Sequence, residues 1–130
     1  METIYSAGLI PLRFNGKKYE VLLLRCYTYW DFPKGEVDTG EDFLEAALRE
    51  LKEESHLELK ELLFKGDFIE TEKYSKGKIA RYYAGLVFDS EVKISSEHHQ
   101  YKWVCYDDAR KILGPRLQRV LDWCFTGLSK

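Results

Sequence analysis

The fold is decided by residues 35–57, GEVDTGEDFLEAALRELKEESHL. In this stretch a loop rich in Gly and Asp is followed by one amphipathic helix. Thr39 is the predicted N-cap, with Asp42 three residues later as a variant of the capping box. The apolar spacing predicts that the helix continues to about Ser55. The helix is expected to place an apolar stripe on a protein core and an acidic stripe beside that core.

The acidic stripe consists of Glu50, Glu53 and Glu54, which fall within an arc of roughly 100° on a helix of 3.6 residues per turn. Like charges at these spacings cost roughly 0.2–0.5 kcal/mol per pair, and the C-terminal end of a helix dipole adds a similar penalty. A hard divalent cation such as Mg²⁺ reverses the sign of this interaction because it takes oxygen ligands. The pattern therefore indicates a metal site, and the alternative is a solvated acidic face.

Two β-compatible runs precede this stretch, at residues 6–14 and 19–27, and Asn15-Gly16 between them predicts a hairpin turn. Residues 29–40, YWDFPKGEVDTG, have the Pro, Gly and Asp content of a functional loop. The loop delivers the chain to the helix.

Further strands are predicted after the helix, at residues 62–74, 80–89 and 101–106, with a turn at 75–78. The tail, residues 107–128, is predicted to be helical.

Gly114-Pro115 divides that tail into a short helix and a longer one. The residues that share one face of the longer helix, and are expected to pack in a core, are Leu117, Val120, Leu121 and Cys124. Strands on both sides of a central helix indicate an α/β or α+β class, with a mixed sheet covered by helices. The whole chain, residues 1–130, is expected to form one domain.

Composition excludes several classes of protein. The chain is 45% hydrophobic and 32% charged, with a net charge of −2 and a pI near 5.9, so no global basic field favours nucleic acid or anionic membranes. Three widely spaced cysteines argue against a disulfide framework and favour a reducing compartment. No run approaches the roughly 20 apolar residues of a membrane span. We expect a cytoplasmic protein without a stable nucleic-acid partner; the oligomeric state cannot be read from the sequence.

The spacing in residues 35–57 resembles the Nudix signature, Gly-x5-Glu-x7-Arg-Glu-U-x-Glu-Glu-x-Gly-U, where U is apolar. Eight of its nine fixed positions are met. The departure is His56, where the family has Gly, and a left-handed His costs about 1 kcal/mol. The resemblance implies an α/β/α sandwich around a mixed sheet.

By position, the resemblance implies that Glu50, Glu53 and Glu54 bind or orient metal, with a backbone carbonyl at Lys34 or Gly35 nearby. Mg²⁺ is the expected cofactor, and Mn²⁺ is the alternative.

Glu41 and Arg49 are expected to support the metal ligands, with the arginine holding a carboxylate through a charge-assisted hydrogen bond. An ordinary surface ion pair is the alternative reading. The candidates for the base that accepts a proton from water are Glu54, Glu50 and Glu97.

Two further motifs resemble the asymmetrical diadenosine tetraphosphate hydrolases within this family: WDFPKG at residues 30–35 and SSEHHQYKWV at residues 95–104. In that branch Lys34 would contact a phosphate, and Glu97 would reach the metal site from a separate loop.

A tyrosine on the strand after residues 75–78 would stack on adenine. Tyr82 and Tyr83 point to opposite faces of that strand, so only one can do so, and position favours Tyr82. His98 either binds substrate or lies in a hydrated loop. The residues of a local positive patch, suited either to a polyphosphate or to solubility alone, are Lys76, Lys78 and Arg81.

The resemblance implies hydrolysis of diadenosine tetraphosphate to ATP and AMP, with a nucleotide as the small-molecule partner. Removal of pyrophosphate from RNA 5′ ends, or hydrolysis of another nucleoside diphosphate derivative, is the alternative within the family. From a different class, a catalytically silent nucleotide-binding module is the alternative.

Overall fold

A computed structural model describes residues 2–130. Eight strands form one sheet: β1 (Ile4–Phe14), β2 (Tyr19–Cys26), β3 (Tyr29–Asp31), β4 (Lys34–Glu36), β5 (Leu59–Leu62), β6 (Phe68–Glu70), β7 (Lys78–Val87) and β8 (Gln100–Cys105). The three α-helices are α1 (Phe43–Ser55), α2 (Tyr106–Ile112) and α3 (Pro115–Leu128).

The sheet is mixed. Its main path runs β3-β2-β1-β7-β5, while β4 pairs with β1, β6 with β7 and β8 with β2. The pairing of β1 with β7 is parallel, from Ile4 opposite Lys78 to Leu12 opposite Leu86. The long strand β1 is thus central, and it carries β4, the strand that leads toward α1.

Helices cover both faces of the sheet, because alternate residues of the central strands are apolar on each side. Leu22 and Leu24 of β2 face the cluster that includes Leu51 of α1. Leu23 faces the cluster that includes Leu121 of α3. The α/β/α sandwich implied by the sequence is therefore confirmed.

The start of α1 corrects the sequence prediction. Asp42, not Thr39, is the N-cap: its side chain accepts a hydrogen bond from Glu45 N at 2.8 Å, and the Glu45 carboxylate accepts one from Asp42 N at 3.0 Å. This reciprocal box satisfies two free backbone donors, so the helix begins three residues later than expected. The helix ends at Ser55 as predicted, and His56 follows in the left-handed conformation with φ 65°.

The strand predicted at residues 62–74 is also wrong in its bounds. A 3₁₀ turn, Phe64–Gly66, interrupts it, and β6 ends at Glu70. Phe64, Lys65 and Gly66 all have positive φ, which no strand accommodates.

The hairpin at Asn15-Gly16 and the break at Gly114-Pro115 are present as predicted. Asn15 Oδ1 accepts hydrogen bonds from the backbone of Lys17 and Lys18, both at 2.9 Å. The four residues expected on the buried face of α3 are all buried. The three cysteines are unpaired, and of these Cys124 is buried. Within residues 2–130, none of the helices combines the length and apolar character that crossing a bilayer requires.

Candidate active site

The site is built around Glu54, a carboxylate that α1 carries into the protein. Glu54 is 8% exposed, and its Oε1 accepts a hydrogen bond from the backbone N–H of Lys34 at 3.1 Å. Burial, and after it the negative charge of the adjoining Glu50, raise the pKa of Glu54 to about 9. The two carboxylates therefore repel each other in a setting that water screens weakly.

Gly35 lies directly against Glu50. A Cβ at position 35 would overlap the carboxylate of Glu50, so a larger residue there would displace that carboxylate from its place between β4 and α1. The glycine of the signature is therefore explained by a close approach, since its backbone does not have a positive φ.

Arg49 holds the acidic face together. Its Nε and Nη2 donate to the two oxygens of Glu41 at 2.8 and 3.0 Å, and its Nη1 donates to Glu50 at 2.8 Å. The hydrogen bonds to Glu41 raise the pKa of Arg49, and the same bonds lower the pKa of Glu41. Arg49 thus lies between Glu41 and Glu50 and fixes the carboxylate of Glu50 in place.

Glu53 does not join the pair. Its side chain is 55% exposed and accepts from Arg49 Nη1 at 3.2 Å. In the part of the chain that the structure describes, no three His, Cys, Asp or Glu side chains converge as a ligand set. The structure brings Glu50 and Glu54 together and leaves Glu53 beside the arginine.

These residues fit a divalent cation nonetheless. The pair offers only oxygen donors, which Mg²⁺ and Mn²⁺ prefer. A cation between Glu50 and Glu54 would relieve the repulsion that raises the Glu54 pKa. The glycine at position 35 leaves backbone, rather than a side chain, beside the carboxylates.

The loop before β8 lies near Glu54. His98 Nε2 is 3.8 Å from Glu54 Oε1, and His98 Nδ1 lies 3.1 Å from Ser95 Oγ. Burial lowers the pKa of His98, so its ring favours the neutral form. Glu97, the adjacent residue, is exposed. The loop thus places a histidine 3.8 Å from Glu54, while the candidate base Glu97 is exposed.

The structure corrects the proposed role of Tyr82. Its ring is completely buried, packs edge-on against Phe32, and donates its hydroxyl to Asp31 Oδ1 at 2.9 Å. Stacking on a base requires an exposed ring face, and Tyr82 has none. Tyr83 does point to the opposite side of the sheet, where it is 6% exposed and packs against Phe68.

The positive patch is smaller than predicted. Arg81 lies between the rings of Phe43 and Phe68, at 3.9 and 3.8 Å, and forms an ion pair with Glu70. Lys78 begins β7, where its backbone exchanges hydrogen bonds with the backbone of Tyr74. Arg81 is therefore occupied by structural contacts.

The sequence did not predict that Asp31 is the ionic partner of Lys34: its Oδ2 lies 3.4 Å from Lys34 Nζ. The available signal was the spacing of three residues between them in WDFPKG. Burial lowers the pKa of Lys34, but the charge of Asp31, the nearby Tyr74 and the hydrogen bond to Asp31 together outweigh this, so the pKa lies above its ordinary value.

Tyr74 and Arg116 meet in a contact that the sequence did not predict, because no local pattern connects residues so distant in sequence. The guanidinium of Arg116 lies 3.8 Å over the Tyr74 ring. Among residues 2–130, Tyr74 OH and Arg116 Nη1 are the buried side-chain polar atoms without a hydrogen-bond partner.

Comparisons with known proteins agree with this geometry. The model of the NUDIX domain matches residues 3–124. A bis(5′-nucleosyl)-tetraphosphatase (asymmetrical) from Caenorhabditis elegans is 39% identical over 84% of this chain and 84% of its own, and one from Rattus norvegicus is 36% identical over 82% and 77%. The crystal structure of a C. elegans Ap4A hydrolase binary complex superposes with a TM-score of 0.86 at 31% identity, covering 98% of each chain. The chain belongs to the Nudix family, whose hydrolases generally use divalent metal ions and bind nucleotide substrates, which confirms the family expected from residues 35–57.

Proposed function

We propose that this protein hydrolyses diadenosine tetraphosphate to ATP and AMP in the presence of Mg²⁺, with Mn²⁺ as a substitute. The observation that carries the chemistry is the pair formed by the half-buried Glu50 and the buried Glu54, the latter accepting a hydrogen bond from the Lys34 backbone at 3.1 Å. The substrate is supported by the relatives named as asymmetrical tetraphosphatases.

Glu50 and Glu54 would hold the cation, with the backbone of Lys34 or Gly35 alongside. Glu53 would join them after leaving Arg49, from which it now accepts a hydrogen bond at 3.2 Å. When bound, a divalent cation neutralises phosphate charge and makes the attacking water more acidic.

The chain's own groups then account for the rest of the reaction. The oxygen of water bonds to phosphorus, the bridge between the first and second phosphorus atoms breaks, and the leaving phosphate oxygen departs with ATP or AMP. One glutamate accepts the proton of the water: Glu54 is the favoured base because it is the most enclosed, and Glu50 and Glu97 are the alternatives. Lys34 contacts a phosphate as a point charge.

Glu41 and Arg49 position Glu50 in this proposal, since Arg49 bonds both carboxylates at 2.8 Å. His98, 3.8 Å from Glu54 Oε1, would contact the substrate, and Lys78 would provide positive charge at the β6–β7 hairpin. The unpaired cysteines fit a reducing compartment such as the cytoplasm.

A substrate panel tests the proposal. Diadenosine tetraphosphate, 5′-triphosphorylated RNA and ADP-ribose are incubated with the protein, with Mg²⁺ or with a chelator, and products are separated by chromatography. We expect equal amounts of ATP and AMP from the first substrate, and only with metal. Two molecules of ADP, or turnover of RNA alone, would contradict the proposal.

A further inference from the structure

The carboxylate of Asp31, at the end of β3, uses its two oxygens for different contacts. Oδ1 accepts hydrogen bonds from Tyr82 OH at 2.9 Å and from the backbone N–H of Phe32 at 2.7 Å. Oδ2 is directed at Lys34 Nζ, 3.4 Å away. Two neutral donors therefore fix the carboxylate, and its remaining oxygen faces the ammonium.

Strand register explains why Tyr82 and Lys34 meet at Asp31. Gly8 of β1 pairs with Lys34 on one side and with Tyr82 on the other. A Cβ on Gly8 would lie 2.7 Å from Lys34 Cβ and 3.1 Å from Tyr82 Cε1. The absence of a side chain at position 8 therefore lets the lysine and the tyrosine approach each other across β1.

Lys34 connects this cluster to the acidic pair. Its backbone N–H donates to Glu54 Oε1 at 3.1 Å, while its side chain reaches Asp31 on the face of the sheet that α3 covers. Fixing both ends of Lys34 fixes the distance between its ammonium and the carboxylates of Glu50 and Glu54.

We propose that Asp31 is a positioning residue for catalysis. Anchored by Tyr82, it holds the Lys34 ammonium at the point where this ammonium contacts a phosphate of the substrate and so positions that phosphate relative to the Glu50–Glu54 pair. The inference rests on the proposed function for its substrate. A purely structural role does not need the charge of Asp31, because an asparagine oxygen also accepts from Tyr82 OH and Phe32 N–H. The contact that needs a negative charge is the one to Lys34.

The test is a double-mutant cycle of Asp31→Asn and Lys34→Met, with kcat and KM measured separately on diadenosine tetraphosphate. Asp31→Asn keeps the two neutral hydrogen bonds and removes the hold on the ammonium. We expect kcat to fall about 10-fold, as for loss of a group that orients a catalytic residue, with KM unchanged or lower because a released ammonium still attracts phosphate. In the Lys34→Met background, Asp31→Asn should change kcat less than about 2-fold, because its target is gone.

The matched control is Asp122→Asn. Asp122 also accepts a hydrogen bond from a tyrosine hydroxyl, that of Tyr106 at 2.6 Å, and faces a cation, Arg110 Nη2 at 2.9 Å. Asp122 belongs to α3, however, and both of these partners belong to α2. We expect its kcat and KM to equal those of the wild type. Tyr82→Phe, which removes the anchor but keeps the ring, should lower kcat about 3-fold without raising KM, and serves if Asp31→Asn does not fold.

An unchanged kcat in Asp31→Asn, or an equal loss in both backgrounds, would overturn the inference. If the wild-type protein releases no ATP and AMP, the proposed function fails, and crystal structures with bound ATP decide the inference about Asp31 instead. Loss of a single position for Lys34 Nζ in Asp31→Asn would support it, and an unmoved ammonium would overturn it.

Discussion

Asp31 and Asp122 accept similar contacts in surroundings that differ. Each carboxylate accepts a hydrogen bond from a tyrosine hydroxyl and faces one cation. The side chains of Asp31 and Lys34 are 11% and 22% exposed, whereas those of Asp122 and Arg110 are 38% and 44% exposed. The Asp122 cluster is partly exposed to solvent, where an ion pair adds little stability.

Burial changes what such a cluster can do. A buried ion pair costs desolvation free energy and is weak evidence for stability, but it fixes the geometry of its members. The Asp31 cluster is linked to Glu54 through Lys34, whose backbone N–H bonds Glu54, and the Asp122 cluster joins α2 to α3. The comparison predicts that charge changes near Glu54 alter chemistry, whereas charge changes at Asp122 do not.

The largest effect is expected from Glu54→Gln. The amide keeps the size of the side chain and its oxygen can still accept from Lys34 N–H, but it removes the negative charge that a cation and a base both require. We expect kcat to fall roughly 10³-fold or more, with far-ultraviolet circular dichroism unchanged. Asp122→Asn is the control. Activity within about 10-fold of the wild type would exclude Glu54 as the base or as an essential ligand.

Arg49→Lys is expected to have the next largest effect. Lysine keeps the charge but cannot bond Glu41 through two nitrogens while also bonding Glu50. We expect kcat to fall roughly 10- to 100-fold and the Mg²⁺ concentration for half-maximal activity to rise. The same replacement at Arg110 tests the exposed cluster and should leave both quantities unchanged.

The contributions of Glu54 and Asp122 to the stability of the fold should depend on pH in opposite directions. The pKa of Glu54 is raised from 4.5 to about 9, so the folded protein retains a proton that the unfolded chain releases. The stability from this group is present below pH 4.5 and is lost as the pH rises toward 9. The pKa of Asp122 is lowered by Arg110, so its contribution is present above its unfolded pKa and is lost as the pH falls.

Thermal unfolding measures this difference. Without metal, Tm should decrease between about pH 6 and pH 8.5, and Glu54→Gln should flatten the decrease. Mg²⁺ should raise Tm more at the higher pH, because the cation stabilises the ionised carboxylates. A Tm that rises over this range in the wild type but not in Glu54→Gln would contradict the raised pKa.

The smallest effect is expected from His56→Gly. His56 has φ 65°, a conformation that glycine adopts without strain, so the variant should gain up to about 1 kcal/mol in the free energy of unfolding. Urea unfolding measures the gain, and kcat should not change because His56 lies beyond the end of α1. His56→Ala is the control and should show no gain.

The sequence predicted those features that depend on neighbours along the chain. The hairpin turn at Asn15-Gly16, the acidic face of α1 and the break at Gly114-Pro115 each follow from residues within a few positions of one another. The error at Thr39 arose because Asp42 also had a suitable partner three residues later, Glu45, and only the hydrogen bonds choose between them.

The sequence by itself determined the family, the α/β class and which carboxylates lie on one helix face, because helix periodicity and fixed spacings are local properties. Tertiary structure decided that Glu50 and Glu54 adjoin while Glu53 stays with Arg49, that Tyr82 is buried, and that Asp31 meets Lys34 beside Gly8. These outcomes depend on strand register and on competition for hydrogen bonds between segments far apart in the chain, and spacing within one segment carries no information about either.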